Sequence, residues 1–123
     1  MTKQERVALI NDLIKCISEN GRQFFKTRST GNVSSMDIIN KRVYYIDSYT
    51  HVPIYCKNGS PTWEHFSSGG TLQALVLDFA DFIRTGKKVN GKNGYGGLHS
   101  EHWGYDEASK QKVITYATEI GYL

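Results

Sequence analysis

Two serines and two glycines stand directly before a strongly apolar stretch in the segment HFSSGGTLQALVLDFADFI. Backbone N–H groups at the start of a helix can hold a phosphate, and the helix dipole favours an anion there. The residues of this candidate anion or nucleotide site are Ser67, Ser68, Gly69, Gly70 and Thr71. The segment matches neither G-x-x-x-x-G-K-[ST] nor G-x-G-x-x-G, and no lysine follows the glycines. We therefore favour a structural role, in which the glycines turn the chain and Thr71 caps the helix.

The segment GGLHSEHWGYD carries the second candidate chemistry. His99 and His102 lie close together in it, with two acidic residues nearby. Histidines at short spacing can bind zinc. The C-x-x-C or H-E-x-x-H context that makes such spacing specific does not accompany them. We therefore predict neither a metal nor a cofactor.

The loop 86–104 is the third candidate, because it is long for a compact domain and rich in glycine and lysine. Long loops are disproportionately functional or mobile. A rigid ring on such a loop can dock into a partner pocket, and Tyr, Trp and Arg are the usual anchors of protein interfaces. The residues that we predict to bind a protein partner are Trp103, Tyr105, Lys87, Lys88 and Lys92. The structural alternative is that Trp103 fixes the loop to its own core.

Aromatic and basic residues are interleaved in the middle of the chain. Such a surface can stack the bases of single-stranded nucleic acid. Because side chains alternate along a strand, half of these rings face the core and half the outer face. Tyrosine is also common on the solvated face of an ordinary antiparallel sheet, and we favour that interpretation. The rings are Phe24, Phe25, Tyr44, Tyr45, Tyr49 and Tyr55, and the basic residues are Arg22, Lys26 and Arg42.

Three helices must position these residues. Thr2 and Glu5 have the form of a capping box, and apolar residues recur after them at helical spacing. The predicted helices span 3–19, 71–85 and, after an Asp106 cap, the residues up to Ile120. Their apolar positions predict a common core of Val7, Ile10, Ile14, Leu72, Leu75, Val76, Phe79, Val113 and Ala117.

Between the first two helices the pattern changes to that of strands. The predicted strands are RQFFKT (22–27), VSSMDII (33–39), RVYYIDSY (42–49) and PIYCK (53–57). Asn40 and Lys41 indicate a two-residue hairpin turn, and Pro53 belongs at a strand start or edge, since proline cannot donate to a ladder. We predict one α+β domain spanning 1–123. An N-terminal helix precedes an antiparallel meander of three or four strands, and two C-terminal helices pack on one sheet face.

Bulk composition narrows the class of protein further. The 123 residues carry a formal charge of +3, well below that of a dedicated nucleic-acid binder. Cys16 and Cys56 have no close partner in sequence, which predicts free thiols in a reducing compartment. The N-terminus lacks an apolar signal core, and no apolar run approaches the roughly 18 residues that span a bilayer. We therefore expect a location in the cytoplasm of a host cell, without a membrane partner.

Four stretches together resemble a group of small uncharacterised proteins of phages, prophages and mobile elements. They are ENGRQFF, VYYIDSYTHVPIY, FSSGGTLQALVLDFADFIRTGK and HWGYDEASKQKVITYATEIGYL. The resemblance implies a cytoplasmic accessory protein made during infection or carried on a mobile element. It transfers no catalytic residue. Small accessory proteins of this kind often bind a host factor, for instance to inhibit a defence system.

The sequence thus favours a binding protein that acts stoichiometrically on a host or defence protein. The alternative is a nucleic-acid- or nucleotide-binding module, which would use the basic sheet face, the loop 84–97 and the SSGGT segment. An enzyme is disfavoured, because the sequence displays no evident set of nucleophile, base and orienting residue.

Overall fold

A computed structural model of the protein describes residues 1–20, 25–56, 70–100 and 106–123, and for Thr71 the backbone alone. Three α-helices occur in this part of the chain: α1 (Lys3–Glu19), α2 (Gly70–Thr85) and α3 (Glu107–Glu119). Thr2 and Glu5 form the predicted capping box, and the Asp106 carboxylate accepts from Ser109 N at 2.6 Å, so both helix starts are confirmed. Because α2 begins at Gly70, Thr71 lies inside this helix instead of capping it.

The strands form one antiparallel meander in the order β1 (Ser35–Ile39), β2 (Arg42–Ile46) and β3 (Pro53–Tyr55). Asn40 and Lys41 join the first two strands, and both have positive φ values, 51° and 67°. A two-residue hairpin turn of type I′ requires such values at both central positions, so the predicted turn is confirmed. Pro53 opens the edge strand β3, as its missing N–H requires.

All four predicted strands are too long. β1 begins at Ser35 instead of residue 33. In the described part of 22–27, Lys26 makes only an isolated bridge with Val33, while the Phe25 ring is buried in the core. β2 ends at Ile46, because the next residues form a turn, and β3 ends at Tyr55 instead of residue 57. Residues 22–24 and 57 lie outside the described residues.

The core lies between the helices and one face of the sheet. Helix α1 contacts β1, α2 contacts β2, and α3 packs on α1. All nine side chains predicted for the core are buried in one cluster. From Leu72 to Ile83 nearly every residue of α2 is buried, so this helix is central instead of one-sided. None of the helices in the described ranges is long and apolar enough to span a membrane.

Candidate functional site

The sheet turns one aromatic face away from the helices. Met36, Val43 and Tyr45 point into the core and are nearly inaccessible to solvent. Strand alternation therefore places Tyr44 and its cross-strand neighbour Tyr55 on the opposite side. These two rings lie 5.5 Å apart between centroids. The prediction that only one ring of the Tyr44–Tyr45 pair faces the core is confirmed.

A basic residue belongs to the same surface. The Arg42 guanidinium carbon lies 5.3 Å from the centroid of the Tyr55 ring, which is a cation–π contact. Arg42 is exposed, and Tyr55 retains 40% of its accessible surface. We call Arg42, Tyr44 and Tyr55 the outer face.

The turn between β2 and β3 extends the exposed surface. Tyr49 is 77% exposed and Val52 is 54% exposed. Asp47 shapes this turn, because its carboxylate accepts from Tyr49 N at 3.0 Å and Thr50 N at 3.1 Å. The His51 N–H donates to the Asp47 carbonyl at 3.0 Å. The backbone that carries the most exposed tyrosine is therefore held by its own hydrogen bonds.

A buried hydroxyl network fixes the turn from the core side. The Tyr45 hydroxyl donates to Ser34 Oγ at 2.8 Å, and Ser48 N donates to the same oxygen at 3.0 Å. Thr27 Oγ1 bonds Ser48 Oγ at 2.9 Å. Ser34 and Ser48 are both buried, and burial raises the pKa of Tyr45 above its ordinary value. The network stays neutral, so it fixes the turn at any physiological pH.

The loop after α2 is anchored by two acids that the sequence analysis did not identify as partners. Asp78 is fully buried, and its carboxylate accepts from Gly91 N at 2.7 Å, Asn93 N at 3.1 Å and Asn93 Nδ2 at 2.7 Å. Burial nevertheless raises the pKa of Asp78. Burial also opposes ionisation of Asp81, but hydrogen bonds from Arg84 and Asn93 outweigh it and hold its pKa low. The sequence does contain a signal for these buried acids, because Asp78 and Asp81 stand inside the otherwise apolar run LVLDFADFI.

The three predicted partner-binding lysines differ in their contacts. Lys92 Nζ lies 3.6 Å from Asp81 Oδ2, and Lys88 Nζ donates to the Leu123 main-chain oxygen at 3.0 Å. Lys87 is exposed and forms no ion pair within the described part of the chain. Two of the three lysines thus have partners within the chain. Trp103 and Tyr105 lie outside the described residues.

The candidate anion site is described only at its last residues. Ser67, Ser68 and Gly69 lie outside the described ranges, and so does Arg22. A Cβ added at Gly70 would lie 3.1 Å from the Tyr95 hydroxyl, so this ring stands beside the helix start.

The basic residues proposed for the same site lie elsewhere. Arg42 is on the outer face, Lys26 is at an isolated bridge, and α2 packs on the inner side of the sheet. The structure therefore does not bring Gly70 and Arg42 together.

Both thiols are free, as expected, with Cys56 buried and Cys16 half-buried. Burial raises the pKa of Cys56 to about 12, so this thiol stays protonated at neutral pH. No group of three or more His, Cys, Asp or Glu side chains in the described ranges is arranged to hold a metal ion. His99 is exposed on a 3-10 helix (Gly97–His99), and His102 lies outside those ranges.

Comparison with known proteins assigns this chain to a protein family. Residues 1–123 match the YoqU family along their whole length. The chain belongs to the YoqU family. It is 31% identical over 129 residues to the SPbeta prophage-derived uncharacterized protein YoqU of Bacillus subtilis strain 168, covering 100% of this chain and 88% of that protein. No solved structure matches the chain. The resemblance to uncharacterised prophage proteins is thus confirmed. This member of the YoqU family has an aromatic outer face beside a turn that is held by hydrogen bonds.

Proposed function

We propose that this YoqU-family protein is a mobile-element accessory protein that binds a host or defence protein stoichiometrically. The binding surface is the outer face together with Tyr49 and Val52 of the adjoining turn. One observation carries the proposal: Tyr49 is 77% exposed on a backbone that Asp47 holds in place.

Preorganisation of the turn lowers the cost of binding. Association loses free energy when side chains and loops must be ordered in the complex. Here the hydrogen bonds of Asp47 and the Ser34 network have already ordered the turn. Tyr and Arg are enriched among the residues that dominate protein interfaces, because a tyrosine buries a large ring with only two side-chain torsions and an arginine offers five N–H donors in a planar fork. Both types are present on this surface.

The family supports the proposal that the protein is encoded by a mobile element. The named relative is prophage-derived. A protein encoded by a mobile element meets the components of its host, and a small chain with a formed binding surface can act on them by occupancy alone. The described residues display no constellation that would assign it a reaction.

The geometry gives less support to the nucleic-acid alternative. A base that stacks on an aromatic platform needs an accessible ring face. Arg42 lies over one face of the Tyr55 ring, and Tyr44 packs against it from the neighbouring strand. The helix start and the outer face also lie on different sides of the sheet. One strand of nucleic acid would not contact both along a continuous path.

A capture experiment tests the proposal. Tagged protein is incubated with nuclease-treated Bacillus subtilis lysate, and retained proteins are identified by mass spectrometry. We expect a protein in a fixed molar ratio, with retention reduced about tenfold or more in a Tyr49→Ser/Tyr55→Ser variant, because interface anchors carry most of the binding energy. Tyr95→Ser is the matched control, since Tyr95 is also exposed but lies beside α2. Equal retention by the wild type and the double variant contradicts the proposal.

A further inference from the structure

We infer that the partner presents a carboxylate to Arg42, so that the outer face recognises an acidic protein segment. This inference rests on the proposed function and adds the chemistry of the partner. The starting observation is the state of the Arg42 side chain. It is exposed, its guanidinium lies over the Tyr55 ring, and it makes no ion pair or hydrogen bond to any other residue in the described ranges.

The contact with Tyr55 orients the guanidinium before any partner arrives. A guanidinium has five N–H donors in a planar fork that matches a carboxylate in two parallel hydrogen bonds. The Tyr55 ring attracts the guanidinium through its aromatic face and accepts no conventional hydrogen bond from it, so the N–H donors stay available. Arg42 therefore combines a restrained position with unused donors, which is the arrangement that bidentate recognition needs.

The charges around Arg42 favour an acidic partner. Lys41 is the adjacent turn residue, and it is exposed without an ion pair in the described part of the chain. Asp37 lies on the same face, opposite Tyr44 in the ladder, and its Oδ1 accepts from Ile38 N at 2.8 Å. The Asp47 carboxylate accepts from two N–H groups of its turn. The adjacent cations Lys41 and Arg42 therefore outnumber the one strand carboxylate on this face, and complementary charge steers association.

A second copy of this chain fits the surface less well. Two copies meeting through their outer faces would bring Lys41 and Arg42 of each copy together. An acidic segment of another protein pairs with these cations instead, and its apolar neighbours can cover Tyr44 and Tyr55.

Nuclear magnetic resonance on the full-length protein tests the inference directly. The observed signal is the Arg42 Nε–Hε resonance of the isotope-labelled protein. Three probes are titrated: a capped hexapeptide of alternating Glu and Tyr, the same peptide with Gln for Glu, and an oligothymidine single strand. We expect the Glu peptide to shift the Arg42 resonance and to bind about tenfold or more tightly than the Gln peptide, because a charge-assisted pair is lost.

Two variants separate charge from geometry. Arg42→Gln should weaken binding of the Glu peptide about tenfold or more. Arg42→Lys should weaken it less, because lysine keeps the positive charge and loses only the planar fork. Lys87→Gln is the control, since Lys87 is exposed on a different element. Equal binding of the two peptides, no binding of either, or tighter binding of oligothymidine that depends on Arg42 overturns the inference. Capture of a host protein that depends on Tyr49 but survives Arg42→Gln also overturns it, while the proposed function stands.

Discussion

The side-chain amide of Asn11 engages both backbone groups of Met36. Met36 N donates to Asn11 Oδ1 at 2.7 Å, and Asn11 Nδ2 donates to Met36 O at 3.0 Å. Met36 and Tyr45 form a non-hydrogen-bonded pair of the antiparallel ladder. The N–H and C=O of Met36 therefore point away from β2, toward the open side of β1. Helix α1 therefore occupies the two Met36 backbone groups on which another strand would pair, which obstructs strand addition at this point of the β1 edge.

Replacing Asn11 by Ala should destabilise the protein by about 1–3 kcal/mol, because it leaves partly buried backbone groups of Met36 without partners. The free energy of unfolding is measured by urea denaturation. Asp12→Ala is the control, because Asp12 is the next residue of α1 and is exposed. A cost for Asn11→Ala no larger than that of the control would show that the amide does not hold the strand.

Phe79 tests the assignment of the core. Its side chain is fully buried, and its ring lies 5.4 Å from that of Tyr122 and 6.4 Å from that of Phe25. Phe79→Ala should cost about 3–5 kcal/mol, because it leaves a cavity between three elements. Val52→Ala, at an exposed site, should change stability by no more than about 0.5 kcal/mol. An equally small effect at Phe79 would mean that the orientation of α2 is wrong.

Asp78 should give stability an unusual pH dependence. Burial raises its pKa above the ordinary aspartate value of 3.8, so the folded protein keeps a proton that the unfolded chain has already lost. The stability contributed by this group is complete below pH 3.8 and declines as the pH rises through the folded-state pKa. Urea denaturation from pH 3.5 upward should show the wild type losing stability relative to Asp78→Asn as the pH increases. If the free energies of unfolding of the two proteins changed in parallel with pH, Asp78 would not be the titrating group.

Gly97 should tolerate no side chain. Its φ is 61°, and an added Cβ would lie 2.6 Å from Gly91 N and against the Asn90 side chain. Gly31 also has a left-handed φ, 74°, but an added Cβ there meets nothing within 4 Å. Gly31→Ala should therefore cost about 1 kcal/mol for backbone strain alone, and Gly97→Ala should cost clearly more, measured by thermal unfolding. Equal costs would show that the loop does not pack closely at Gly97.

The elements that sequence predicts correctly are those with local causes. The helix starts follow from Thr2 and Asp106, whose side chains cap within a few residues, and the first hairpin follows from the turn at Asn40 and Lys41. Strand alternation correctly placed one of two adjacent tyrosines on the outer face. Each of these features depends on spacing along the chain.

The features that sequence missed depend on contacts between distant residues. The strand predicted from RQFFKT is reduced in its described part to an isolated bridge between Lys26 and Val33, because the chain turns directly after it and Gly31 N donates to the Thr27 carbonyl. The loop lysines were assigned to a partner because no local pattern indicates that Lys92 lies beside Asp81 or Lys88 beside Leu123. Likewise, nothing near Tyr55 in the sequence places Arg42 over its ring.

Site-specific photocrosslinking tests the central claim, that the surface around Tyr49 binds a protein, most directly. A photoreactive phenylalanine analogue is placed at position 49 and, in a control, at position 8, which is an exposed site on α1. Both proteins are expressed and irradiated in Bacillus subtilis, the organism of the prophage-derived relative, and adducts are resolved by denaturing electrophoresis after nuclease treatment. The account predicts a discrete protein adduct from position 49 and none from position 8. No adduct from position 49, or the same adduct from both positions, would contradict it.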